Sequence, residues 1–281
     1  MGIVLNKNNN NSTKTNIKNG VAYLSFNALD KIPWLKNGFS TKIGGVSTGD
    51  LASMNLGITR GDSKENIIEN FTRIADAIGF DVKDIVMTAQ THTDNVLIAD
   101  KNNKGKGIFE DIAYTDVDGL ITNEKNVVLA AFFADCVPIC LVDKKNKAIG
   151  VCHSGWRGTH KMIAKKTIEM MGENYGSNPK DIIAVIGPSI CVDCYEVSKD
   201  VADEFISLMP DKKDIIMYPK NDKYMLNLWE INRQIILSAG VLMENISVSD
   251  VCTCHNYKTL FSHRASQGKR GNLGVFLTIS E

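Results

Sequence analysis

The sequence predicts one domain of mixed α/β (α+β) class, a mixed sheet covered by helices, preceded by a short polar tail. Three observations predict it. Apolar runs of strand length recur between residues 21 and 279, four stretches between them carry apolar residues at helical spacing, and neither a linker nor an internal repeat divides that span. A chain of 281 residues has ample length to bury a core.

Residues 1–19 are rich in Asn and Lys, and beyond Leu5 their only apolar side chain is Ile17, so a flexible tail is expected there and a single catalytic domain over 20–281. Residues 21–26 alternate as a strand. Residues 38–47 read as a strand end running into the Gly44-Gly45 turn, whose amides suit an anion or simply close a tight turn. Further turns at 55–57 and 61–62 lead to Ser63, which is placed to cap a helix over 64–78 with Asn66 standing in for the Glu of a capping box. Ile67, Ile68, Phe71, Ile74, Ala75 and Ile78 give that helix its apolar face.

Residues 86–90 and 95–99 read as a hairpin around Thr91-His92-Thr93-Asp94, and 101–107 as a mobile surface loop. Strands follow at 118–122 and 127–133. A second hairpin is expected from the runs 139–142 and 148–152 about the polar break 143–147; a turn centred on Lys145 sets Cys136 opposite His153 or Ser154. Ser154-Gly155-Trp156-Arg157-Gly158 then opens a helix to about residue 173, a helix start that suits a phosphate with Arg157 as a guanidinium fork. A strand at 181–187, helices at 201–209 and 226–239 with Gly240 as the stop, and strands at 248–252 and 273–279 complete the domain. Gly268, Gly271 and Gly274 match a phosphate loop in glycine count alone, because no helix follows them.

Composition excludes several classes. Lys plus Arg equals Asp plus Glu at 32 each, so no long-range field favours nucleic acid or an anionic membrane. The longest apolar run, 127–134, is too short to span a bilayer. Seven Cys without an apolar N-terminal signal segment indicate a reduced, cytoplasmic protein.

A thiol and an imidazole at the open end of a hairpin form a metal site, a Cys/His nucleophilic pair, or a half-buried Cys beside a structural His. Cys191 and Cys194 have the spacing of a zinc half-site or redox pair, but Cys252 and Cys254 are too close together for a usual zinc knuckle, so buried or site-lining thiols are the expectation, with a four-cysteine structural site as the alternative. His92, in a turn, is a surface residue or a ligand. Taken with Cys136 and His153 it makes a three-ligand zinc set with one position open, the pattern of sites that perform hydrolysis or deamination.

The segments 38–47, 55–62, 90–96, 118–122, 134–139, 150–158, 186–197 and 261–264 resemble, in order, the motifs of the laccase-domain family, also called the multicopper polyphenol oxidoreductase or peptidoglycan-editing-factor family. The resemblance implies a laccase-domain-like fold and a purine nucleoside phosphorylase acting on adenosine, inosine, guanosine and S-methyl-5′-thioadenosine, with adenosine deaminase activity. It implies His92, Cys136 and His153 as ligands of zinc, with copper possible at the same site. Asp135 or Asp118 is expected to assist proton transfer or to orient a ligand, and Lys42, Asp118, Arg157 and Arg264 to contact nucleoside or phosphate. Two departures stand out: Lys42 where the family usually has Arg, replacing a planar fork with a point charge, and Cys191 where Gly is common. The alternatives are a Cys/His hydrolase or amidase acting on peptidoglycan precursors, a polyphenol oxidase with bound copper, and a binding or scaffold protein with a structural metal, which predicts loss of folding on zinc removal. Five His argue against a complete multicopper set, which needs roughly ten, far more than the two of a single His₂Cys centre.

Overall fold

The computed structural model of the chain describes residues 2–3 and 12–280. In chain order the strands are β1 (Thr13–Lys18), β2 (Val21–Phe26), β3 (Leu35–Ser40), β4 (Ile85–Met87), β5 (Val96–Ile98), β6 (Gly119–Thr122), β7 (Val128–Phe133), β8 (Val137–Asp143), β9 (Ala148–Ser154), β10 (Ile182–Ile186), β11 (Glu196–Val197), β12 (Met217–Lys220), β13 (Lys223–Leu226), β14 (Ile246–Val248) and β15 (Leu273–Ile279). The helices are α1 (Asn27–Asp30), α2 (Lys64–Ile78), α3 (Trp156–His160), α4 (Ile163–Tyr175), α5 (Lys199–Leu208), α6 (Lys213–Ile216), α7 (Leu228–Ser238) and α8 (His263–Ser266).

The expected class holds, with two large mixed sheets where one was expected. One has the order β1-β2-β3-β15-β7-β4, the other β14-β10-β8-β9-β6-β5, and β11-β13-β12 form a small third sheet. Side-chain parity explains the stacking. Leu129, Ala131 and Phe133 of β7 meet Cys140 and Val142 of β8 and Ile149 and Val151 of β9 in a core between the sheets. The alternate residues of β7, Val128, Ala130 and Phe132, pack beneath Ile67, Phe71 and Ile74 of α2. Those of β8 and β9, including Ile139, Leu141 and Cys152, pack against α4, α5 and α7. The layers are therefore helix, sheet, sheet, helix, and the central strands read as continuous apolar runs because both faces are covered.

Several expectations are corrected. Within the expected tail, Thr13–Lys18 pairs along its whole length with β2, its backbone bonds replacing the apolar burial it lacks; residues 1 and 4–11 lie outside the described residues. Residues 86–90 and 95–99 form no hairpin: β4 pairs parallel with β7 in one sheet and β5 parallel with β6 in the other. The 101–107 loop is tied down by Gly105 N–H, which donates to Ile85 O at 2.8 Å. The helix after Gly155 breaks at Met162, φ 57°. Thr159 is bonded to the buried Ser154 and Asn232 and holds α3, while α4 restarts at an angle that lays Ile163, Ile168 and Met171 on the sheet. Of the expected strand 248–252 only Val248 belongs to one, β14, and β14 and β15 lie in different sheets. The β12–β13 hairpin carries no alternation that identifies it in the sequence, being largely exposed.

The 143–147 turn is built as expected. Asp143 accepts from the Lys145 and Asn146 N–H groups at 2.9 and 3.2 Å, which closes the β8–β9 hairpin. Its register pairs Val137 with Ser154 and Pro138 with His153, one residue later than expected, so Cys136 falls beside Gly155.

Ser63 caps α2 by accepting from Asn66 N–H at 3.1 Å, and Gly79 ends it at φ 99°. From that helix the fully buried Asn70 donates to Ser47 Oγ and Asn55 O and accepts from Val46 N–H. Asp62 joins this network by accepting from Ser47, Asn55, Asn66 and Ser63. Burial pushes the Asp62 carboxyl up, but these bonds outweigh it and hold the pKa below the usual carboxylate range. Among the described residues no helix is long and apolar enough to cross a membrane.

Two stability experiments follow from this network. Asn70→Ala leaves buried partners unpaired and is expected to cost about 3 kcal/mol in urea unfolding. Because the Asp62 pKa is depressed on folding, its contribution is full above the unfolded value of about 3.9 and disappears as pH falls through the folded value. Asp62→Asn is therefore expected to flatten the acid limb of a thermal stability profile below about pH 4 while lowering Tm at neutral pH.

Candidate metal centre and cleft

Two connections cross from one sheet to the other at the same rim of the sandwich, and each carries a candidate ligand. Residues 88–95 lead from β4 to β5 and bear His92; residues 134–136 lead from β7 to β8 and bear Cys136. Each crossing turns sharply through a non-glycine residue with positive φ, His92 at 64° and Asp135 at 85°. His153, on β9, has the parity of Val151 and points toward the inter-sheet core, with its ring centroid 5.4 Å from that of Phe133 and 4.8 Å from that of His92.

Asp118 organises these pieces. Its fully buried carboxylate accepts from the N–H groups of Thr91, His92 and Thr93 at 3.0, 3.2 and 2.9 Å, and Oδ1 lies 2.7 Å from His153 Nδ1. The same carboxylate shapes the His92 turn and, by holding Nδ1, leaves the other ring nitrogen of His153 for Cys136. Burial pushes the Asp118 pKa up, yet the bonds from His153, Thr91 and Thr93 bring it below the usual range. Burial pulls His153 down, but Cys136 and Asp118 outweigh it and raise the ring to about 9. Burial, then the neighbouring His153, lowers His92 to about 4.

Ligand atoms of His92, Cys136 and His153 lie within 4.8 Å of one another. Gly155 backs them: a Cβ there would stand 2.7 Å from His92 Nδ1 and 3.0 Å from Cys136 Sγ. The three donors thus close around a space whose rear wall is bare backbone. Two imidazoles and one thiolate suit an ion of the zinc or copper kind, with a fourth position facing the cleft.

The cleft has a volume of about 380 Å³ and is lined by the three ligands and by Leu56, Met87, Ile112 and Phe132 among its apolar side chains. Arg60 and Arg270 also line it. Among the described residues neither guanidinium has a carboxylate at ion-pair distance, and the buried Arg270 Nε has no hydrogen-bond partner. Burial and the charge of Arg60 push Arg270 down to about 10. The two guanidiniums make this part of the cleft electropositive.

These two arginines were missed in the sequence, although the glycine pattern 268–274 marks one of them. No helix follows that loop; strand β15 does, and the glycines serve close packing. A Cβ at Gly271 would meet Asn55 Oδ1 at 2.7 Å and one at Gly274 would meet Leu56 at 2.9 Å. Leu56 N–H donates to Asn272 O and Asn272 N–H to Asn55 Oδ1, so the loop lies against the 55–61 turn and brings Arg270 beside Arg60.

The other expected residues are placed differently. Lys42 does not line the cleft; its ammonium donates to Tyr257 O at 3.0 Å and lies 4.8 Å above the Phe261 ring. Arg264 donates to Cys194 O and Glu196 O at 3.0 and 2.9 Å and stacks over Tyr195. Arg157 lies over Trp156, near enough to His92 to act on its charge. Both Asp135 oxygens are engaged, one by Thr253 Oγ1 at 2.6 Å and the other by Arg264 N–H at 2.7 Å.

Residues 36–280 match the multi-copper polyphenol oxidoreductase laccase family, and the chain belongs to it. It is 40% identical over 246 residues to purine nucleoside phosphorylase YlmD of Bacillus subtilis (strain 168), covering 87% of this chain and 88% of that one. It is 34% identical over 244 residues to adenosine deaminase RL5 of an unknown prokaryotic organism, covering 84% and 93%. Its fold superposes on the crystal structure of the Bacillus licheniformis hypothetical protein YfiH with a TM-score of 0.90, at 34% identity over 96% of this chain and all of that one.

Gly155→Ala is expected to empty the ligand triad while leaving the fold intact, read as loss of its metal with an unchanged circular dichroism spectrum. Asp118→Asn, which turns an amide NH₂ toward backbone donors, is expected to weaken metal affinity about 10- to 100-fold in competition with a chromophoric chelator.

Proposed function

We propose that the protein is a zinc-dependent purine nucleoside phosphorylase of the cytoplasm, acting on adenosine, inosine, guanosine and S-methyl-5′-thioadenosine, and that the same cleft deaminates adenosine. The observation that carries this reading is that Arg60 and Arg270 line the same cleft as the His92–Cys136–His153 triad, together with apolar side chains. Phosphate is a substrate of the first reaction and absent from the second, so a cleft that holds two arginines beside apolar side chains supports phosphorolysis in particular.

In this reading the guanidiniums of Arg60 and Arg270, which line the cleft, hold phosphate by charge-assisted bonds. The phosphate oxygen bonds to the anomeric carbon as the bond to the purine nitrogen breaks, and a proton goes to the departing base. When bound, zinc would supply a Lewis acid with an open position at His92, Cys136 and His153. Asp118 keeps His153 oriented and the His92 turn closed. Asp135 serves as a positioning residue, because its carboxylate joins the Cys136 crossing to Thr253 and the start of α8. Arg157 and Lys42 stand at greater remove, and a small-molecule nucleoside with phosphate is the partner the cleft fits.

One further reading has an observation of its own. Cys136, His153 and Asp118 follow one another as nucleophile, base and orienting carboxylate would in a cysteine hydrolase or amidase. Thiol alkylation that destroys activity in a chelated, metal-free sample would favour that reading. Copper at the same three ligands would be the remaining reading, without the additional imidazoles of a multicopper set among the chain's five His.

The deciding assay incubates adenosine and inosine with and without phosphate. Base release that requires phosphate is the expected result, and inosine formed from adenosine without phosphate is expected alongside it. Cys136→Ala is expected to abolish both reactions with the fold retained; unchanged turnover would sink the assignment. Arg270→Met is expected to raise the KM for phosphate at least tenfold while adenosine deamination persists.

A further inference from the structure

A second cluster of soft ligands lies in the layer behind Asp135. Cys191 and Cys194 come from the turn after β10, where Cys194 and Tyr195 N–H both donate to Cys191 O. Cys252 and His255 come from the turn after β14, where Asn256 N–H donates to Cys252 O. The two segments run side by side: Ser189 and Cys252 form a parallel bridge, and Thr253 N–H donates to Ser189 O. The two turns therefore present their side chains to one point, and the ligand atoms of Cys191, Cys194, Cys252 and His255 all lie within 4.8 Å of one another.

We propose that Cys191, Cys194, Cys252 and His255 form a second, structural zinc site. A tetrahedral zinc with Zn–S of about 2.3 Å and Zn–N of about 2.0 Å separates a thiolate and an imidazole nitrogen by about 3.5 Å. Cys191 Sγ and His255 Nδ1 are 3.8 Å apart. Cys252 Sγ accepts the Cys191 N–H at 3.3 Å, which fixes the two turns against each other at the ligand atoms. Three thiolates and one imidazole complete the tetrahedron and leave no position for substrate, which distinguishes this site from the triad in the cleft. The Cys-x-x-Cys and Cys-x-x-His spacings place each ligand pair on one turn. Cys254, between the second pair, faces Cys194 from outside the group of four.

The location states what the ion does. Ile190 N–H, one residue before Cys191, donates to Asp135 O at 2.9 Å, and Thr253, one residue after Cys252, donates to the Asp135 carboxylate. Cys194 O accepts from Arg264. An ion joining the two turns therefore braces the crossing that carries Cys136, and it does so whatever reaction the cleft performs.

The test is metal analysis of the full chain purified under reducing conditions. Zinc per chain is expected to be two in the parent protein, one in Cys136→Ala and one in Cys194→Ser. Cys194 is half-buried and Ser is smaller, but should that variant not fold, Cys136→Ala alone still decides, because its remaining equivalent must come from elsewhere. His255→Gln at the exposed ligand is expected to release one equivalent to a chelator that leaves it in the parent protein, whereas Cys254→Ser is expected to keep both. Cobalt bound to Cys136→Ala is expected to show the intense bands of a tetrahedral thiolate-rich site. No zinc in Cys136→Ala, two equivalents retained in Cys194→Ser, iron with sulfide in place of zinc, or a disulfide among these thiols in the reduced protein would each overturn the proposal.

Discussion

The buried carboxylate of Asp118 is the constraint on which the rest of the centre depends. It has no solvent to lean on, so its charge must be matched by donors, and the donors it has recruited are three successive backbone N–H groups of the His92 turn and one ring nitrogen of His153. A turn and a strand from distant parts of the chain are thereby locked to one another. His92 sits at positive φ because the three N–H groups converge, and His153 presents the nitrogen opposite the one that Asp118 holds. Removing the charge would release both at once.

The location of the centre follows from how two stacked sheets must be connected. A chain that leaves one sheet for its neighbour has to turn at the rim, where packing is interrupted and backbone groups need other partners. Two such crossings meet here, and Gly155, at the start of α3, lets them approach to a distance that any side chain would block. The inter-sheet core supplies rigidity from behind through Phe133, and the cleft opens in front. The ligands are thus fixed by elements that stability alone already requires.

Charge is handled differently on the two sides of the centre. Behind it, the carboxylates of Asp118 and Asp135 are saturated with donors and hold the frame. In front, Arg60 and Arg270 line the cleft without a carboxylate at ion-pair distance among the described residues, and the charge of Arg60 lowers the pKa of Arg270. The glycines of the 268–274 loop are what make this possible, since they let that segment lie flat against the 55–61 turn. The Cys191–His255 cluster adds a second fixed point beneath the Cys136 crossing, and it gives the unexpected Cys191 a chemical purpose.

Much of this was legible in the residues themselves. The α2 helix with its Ser63 cap, the 143–147 turn and the strand runs are written in local periodicity and turn chemistry, which act over a few residues and so survive in a linear reading. The triad of His92, Cys136 and His153 was named through family resemblance, with the hairpin placing the last two within one residue of their register. What only the tertiary structure decided are the pairings over long separations: that the apolar strands divide between two sheets, that Asp118 serves both histidines, that Arg60 meets Arg270, and that Cys252 is joined by His255 rather than Cys254. Spacing along a chain cannot report these, because each depends on which faces of separate elements come together when the two sheets close on a common core.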